Sequence, residues 1–113
     1  MTLTQAEAFG LTLLIEGPLA AALGIASGRA AFRCGAAAVA ASTITHPLLW
    51  LAYPSAYGYF AALTTPLLEA SVIAAETPFY RTIASPRWEE AALLSVLVNA
   101  ASWAAGEFIY AMT

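Results

Sequence analysis

Long apolar runs broken by short charged stretches organise this chain. Residues 9–27 form a run of 19 with one charge, Glu16, and residues 34–68 form a run of 35 with none. As one helix, the second run would extend about 52 Å, well beyond a hydrocarbon layer of about 30 Å. It is therefore expected to fold back, and Pro-Ser-Ala-Tyr-Gly at 54–58 offers the turn chemistry. A last apolar run covers 91–112. Ser85 before it reads as a helix cap, Pro86 as the first helical residue, and Glu89 and Glu90 suit the positive helix end. The pattern predicts an all-α fold, a single four-span transmembrane domain over 1–113. Its spans are expected at about 9–27, 34–53, 59–77 and 91–112, packed as a four-helix bundle of two helical hairpins.

Composition excludes the soluble alternative. Hydrophobic residues make up 61% and charged residues 10%, against about 45–50% and about 25% in ordinary globular domains. A soluble domain this small buries only about two-thirds of its surface, so much of that apolar content would face water. The net charge is −3, there is no lysine, and the four bases are Arg29, Arg33, Arg81 and Arg87. Nucleic acid is excluded as a partner, because binding it needs a positive surface. The single Cys34 excludes an internal disulfide and a cysteine-built zinc or iron–sulfur site within one chain.

The arginines set the orientation. All four lie in the loops between the first and second and between the third and fourth spans, which predicts cytoplasmic loops and outward-facing termini. Tyr53, Tyr57, Tyr59, Phe60 and Tyr110 fall at the outer level; Phe32, Phe79, Tyr80 and Trp88 fall at the inner one, as aromatic belts do. The start, with Glu7 and no basic residue, reads as mature rather than as a secretion signal. The expected location is a bacterial inner membrane, multi-pass.

The spans carry polar groups that lipid does not tolerate alone. A charge at mid-bilayer costs from about 3 to above 10 kcal/mol, depending on the measure. Counted from the outer ends of their spans, Glu16, His46, Glu69, Asn99 and Ser102 fall within about 9 Å of one another in depth. With Thr45 beside His46, they are the candidate ion or proton site. Glu107 is shallower, and Glu76 reads as a plain interfacial carboxylate near Arg81. Pro18, Pro47 and Pro66 are expected to free the carbonyls of Leu14, Thr43 and Ala62 as further oxygen ligands. As a metal ligand His46 would need Glu16 and Glu69 as partners. It is also the only candidate axial ligand for a bound pigment or haem, and the cofactor itself stays unassigned beyond a bound cation. The bland alternative is that a protonated Glu16 or Glu69 bonds Asn99, Thr45 or Ser102 as interhelical glue.

Small residues repeat at helical spacing: Gly17, Ala20, Gly24 and Gly28; Gly35, Ala38, Ser42 and Thr45; Ser95, Asn99, Ser102 and Gly106. Such faces let helices approach closely, inside a bundle or against a partner. Besides the lipid bilayer, a homo-oligomer or a larger membrane complex is the expected partner. Spacing also suggests a parallel internal repeat. Glu16 precedes Arg29 by thirteen residues and Glu69 precedes Arg81 by twelve; Ser42-x-x-Thr45 and Asn99-x-x-Ser102 follow at similar intervals.

No serine or cysteine has a patterned base beside it, so an enzyme is not the expected class. Two readings remain: ion, metal or proton binding or transport at the intramembrane site, or an accessory subunit docking through its small-residue faces.

Overall fold

The computed structural model describes residues 3–112, which are helical throughout apart from short connections. Helix α1 (Gln5–Ala26) starts where the Thr4 side chain accepts the Glu7 N–H at 3.1 Å. It ends where Gly28 takes φ +76. There the Arg29 N–H reaches the Gly24 carbonyl at 2.7 Å and the Gly28 N–H reaches that of Ile25 at 3.1 Å, a Schellman closure. Gly28 thus terminates the helix rather than pairing with Gly24 on its face.

Helix α2 (Ala31–Phe60), a 3-10 turn (Ala61–Leu63) and helix α3 (Thr64–Ile83) follow without interruption. The described residues therefore hold three helical stretches long and apolar enough to cross a membrane, not the four separate spans expected. Within the long one, α2 and α3 pack against each other, and Thr45 bonds Glu76, so the chain reverses at the 3-10 turn. The turn expected at 54–58 is helical. Pro54 removes one backbone bond there, which a helix packed along its length survives. Helix α4 (Trp88–Met112) begins two residues later than the Ser85-Pro86 pattern suggested; the Ser85 hydroxyl instead accepts the Arg87 N–H at 3.2 Å.

Ala61 makes the reversal with φ 48 and ψ −118, the only positive φ outside glycine among the described residues. These angles belong to the first central position of a type II′ turn, where glycine is favoured and a Cβ is strained. Ala61→Gly is expected to raise stability by about 1 kcal/mol, read as a higher melting temperature in detergent; an unchanged or lower value would show that the backbone there is relaxed.

Each of α1 and α3 packs on both α2 and α4. The tightest approach joins α1 to α2: a Cβ added at Gly24 would stand 2.5 Å from Cys34 Sγ, and one at Gly35 would stand 3.4 Å from the Gly17 carbonyl. Around these glycines lies a core of small side chains, Ala20, Cys34, Ala37, Ala38 and Ala91, capped by Tyr80, Leu94 and Val98. Tyr80 is wholly buried, not part of an inner aromatic belt. The small-residue faces of α1 and α2 are thus consumed inside the molecule. Large apolar side chains face outward instead, among them Phe32 at 85%, Leu51 at 78% and Tyr59 at 87% exposure. A surface of that kind needs an apolar environment.

Candidate functional site

The small-residue core occupies the half of the molecule nearest the arginine loops. Towards the other end the helix faces carry larger groups, and a cavity of about 690 Å³ opens between all four helices. Tyr53, Glu107 and Tyr110 stand near its mouth, while His46, Trp50, Glu69 and Trp103 line its walls. Its floor, next to the core, is polar: Glu16 from α1, Ser42 and Thr45 from α2, Glu76 from α3, Asn99 and Ser102 from α4. No lysine or arginine lines it.

The floor contains two buried carboxyl groups, Glu16 at 2% and Glu76 at 1% exposure. The Ser42 hydroxyl donates to Glu16 Oε1, and the Ser102 side chain faces the same carboxylate. Across the floor, Thr45 Oγ1 donates to Glu76 Oε2 at 2.5 Å and Asn99 Nδ2 donates to Glu76 Oε1 at 3.0 Å. Asn99 also donates to the Ser95 carbonyl at 2.9 Å, and the Ser95 hydroxyl donates to the Ile73 carbonyl at 2.9 Å, tying α3 to α4. Glu76 is therefore satisfied from both α2 and α4, while Glu16 accepts from α2 with Ser102 of α4 facing it.

The six residues of the expected site, Glu16, Thr45, His46, Glu69, Asn99 and Ser102, all line this one cavity. The group that sequence reasoning placed outside it is Glu76. It is a hub of the floor rather than an interfacial carboxylate, because α3 continues to Ile83 and carries it two turns above the helix end. Glu69 stands nearer the mouth, with no hydrogen-bond partner among the described residues. His46 Nε2 is buried without a partner, its ring 5.4 Å from that of Phe9 and 6.3 Å from that of Trp50.

Among the described residues no three His, Cys, Asp or Glu side chains come together to hold a metal ion, so His46, Glu16 and Glu69 share a cavity without forming a ligand set. The expected carbonyl ligands do not join the site. Leu14 and Thr43 lie on outward faces of their helices, and Pro66 falls in the first turn of α3, where no helical bond is lost.

Neither a family model, a curated protein nor a solved structure matches this chain.

The basic residues lie at the opposite end. Arg29 grips Glu90 with two contacts, Nε to Oε1 at 2.5 Å and Nη2 to Oε2 at 3.3 Å, clamping the α1–α2 loop onto the start of α4. The Glu90 carboxylate holds the Arg29 guanidinium protonated even more firmly than usual. Arg87 approaches Glu89 at 3.7 Å, and Arg81 lies 5.5 Å from the centre of the Trp88 ring.

Proposed function

We propose that this protein is a small multi-pass membrane protein that binds and transfers protons at the floor of its cavity. The four α-helices cross the bilayer once each, α2 and α3 being joined at the outer surface by the 3-10 turn. The loops bearing Arg29, Arg33, Arg81 and Arg87 lie on the cytoplasmic side. The cavity and both termini face outward.

One observation carries this reading: two carboxyl groups are buried at the end of an open cavity that, among the described residues, no lysine or arginine lines. A buried carboxylate without a counter-charge takes up a proton or a cation. The bonding around this pair favours the proton. A serine or threonine hydroxyl is both donor and acceptor. Ser42 and Thr45 donate to the carboxylates when these are ionised. When the carboxyl groups are protonated, the same hydroxyls accept from them and turn their own hydrogens to the helix carbonyl four residues back. Each carboxyl group thereby changes protonation state without leaving a buried atom unpaired, which makes the exchange reversible. Glu69 and His46, between floor and mouth, supply titratable groups on the way in.

Proteoliposomes holding the full chain and a trapped pH dye test this. Under a potassium diffusion potential they are expected to change internal pH faster than protein-free vesicles; equal rates would overturn the reading. Isolation from mild detergent only as a fixed assembly with foreign subunits would favour an accessory-subunit role instead. The small-residue faces of α1 and α2 are occupied inside the molecule, which takes away part of the case for that role.

A further inference from the structure

The two halves of the molecule repeat each other in a register that the floor reveals. Glu16 of α1 meets Ser42 of its own hairpin and Ser102 of the other hairpin. Glu76 of α3 meets Asn99 of its own hairpin and Thr45 of the other. Exchanging α1 with α3 and α2 with α4 turns the first set of contacts into the second. The counterpart of Glu16 is thus Glu76, not Glu69.

Burial repeats in the same register, independently of the floor contacts. The buried residues of α4 are Ala91, Leu94, Ser95, Val98 and Asn99. Each lies 57 positions after a buried residue of α2: Cys34, Ala37, Ala38, Ala41 and Ser42. Glu16 and Ala20 of α1 correspond likewise, 60 positions on, to Glu76 and Tyr80, both buried. Helix pairs follow suit, since the α1·α4 contact maps onto α3·α2. The amino-acid sequence retains the trace. Glu16-Gly-Pro18 is matched by Glu76-Thr-Pro78. Ile25-Ala-Ser-Gly-Arg29 is matched, 58 positions on, by Ile83-Ala-Ser-Pro-Arg87, identical at four of five positions. The offset closes from 60 to 58 over the last turns of α1 and α3, and to 57 in the short loops that follow them.

We infer that the chain is two copies of one helical hairpin, and that Glu16 and Glu76 are equivalent half-sites of a floor that binds two protons. Each half-site is one carboxyl group between a polar residue of α2 and one of α4. The pseudo-twofold axis runs along the cavity between them, as in parallel repeats of membrane proteins. This rests on the proton-binding reading and adds to it the stoichiometry and the second site. The titratable groups around the pair are few: each carboxyl group faces the other, Glu69 of α3 and His46 of α2 stand above them in the cavity, and the Tyr80 hydroxyl lies beneath on the core side. Interacting equivalent carboxyl groups titrate in two steps that belong to the pair, so both residues follow both steps.

The test uses the unaltered full chain in lipid vesicles, treated with a hydrophobic carbodiimide, which attacks protonated carboxyl groups, and read by peptide mass mapping across a pH series. Glu16 and Glu76 are expected to be modified to a comparable extent, with curves that superimpose to within about one pH unit, the ordinary scatter of carboxyl groups. Modification of only one of them, of neither while Glu69 reacts, or with clearly separated curves would overturn the equivalence. The exchange variant Ser42→Asn/Asn99→Ser moves the amide from one half-site to the other. Any small difference between the two curves is expected to change sign in it, and an unchanged difference would count against the pseudo-symmetry. Vesicles without proton flux but with matching curves would remove the transport reading and leave the paired sites standing. Flux with Glu16 alone reactive would do the reverse.

Discussion

Glu76→Gln in proteoliposomes is expected to lower proton flux by about a hundredfold or more, the scale on which a proton-transferring side chain acts. Glutamine keeps the shape and both polar atoms of the original group. Its carbonyl can still accept from Asn99, and its amide can donate to the Thr45 hydroxyl, whose hydrogen then turns to the backbone. Stability should therefore change by no more than about 1 kcal/mol. That separates the proton site from interhelical glue, for which flux would persist. Glu107→Gln provides the control. Its carboxylate, near the mouth, accepts from Trp103 Nε1 at 3.3 Å and plays no part in the floor, so near-normal flux is expected. Full flux in Glu76→Gln would exclude this carboxyl group from proton transfer.

Gly24→Ala is expected to cost about 1–3 kcal/mol, as overpacking a tight contact does. The new methyl would lie 2.5 Å from Cys34 Sγ and 2.9 Å from Cys34 Cβ. The sulfur can rotate away, but the Cβ is fixed to helix α2, so the helices must separate and the alanine core with them. Cys34→Gly in the same molecule removes both obstacles and should recover part of the loss, less about 1 kcal/mol for a glycine within a helix. Gly10, also in α1, has no atom within 4 Å of an added Cβ. Gly10→Ala should gain up to about 1 kcal/mol from helix propensity. Melting temperatures of the variants in one detergent decide the matter; a harmless Gly24→Ala would mean that α1 and α2 are not held at this distance.

Helical content and the presence of one polar cluster could be read from hydropathy and charge alone, because these depend on windows of residues rather than on single positions. Boundaries could not. The 54–58 segment contains proline and glycine and so resembles a turn, yet the reversal point is fixed by long-range pairing. Thr45 faces Glu76, and the chain must turn midway between them, at Ala61, a residue with no turn preference. That error of a few residues moved Glu76 to the membrane surface in the sequence reading and promoted Glu69 in its place. The same shift set the suggested internal repeat in another register, pairing Glu16 with Glu69, where the buried positions pair it with Glu76. His46 and Glu69 line the cavity, but their lack of hydrogen-bond partners depends on three-dimensional distances that spacing does not encode.

The dense core beneath the floor also bears on how the molecule would experience an electric field. From Asn99 down to the start of α4 is eleven residues, about 16 Å of helix, filled with alanine, leucine and valine together with Cys34, Ser95 and Tyr80. If the cavity above is wet, its water sits at the outer potential, and almost the whole transmembrane voltage falls across this plug. A charge crossing it would gain or lose about 2.3 kcal/mol per 100 mV, whereas entry from outside to the floor would be nearly insensitive to voltage. In the proposed orientation and proton transfer, the packing of small side chains between α1 and α2 would make release across this plug, rather than capture from the cavity side, the step on which membrane potential acts.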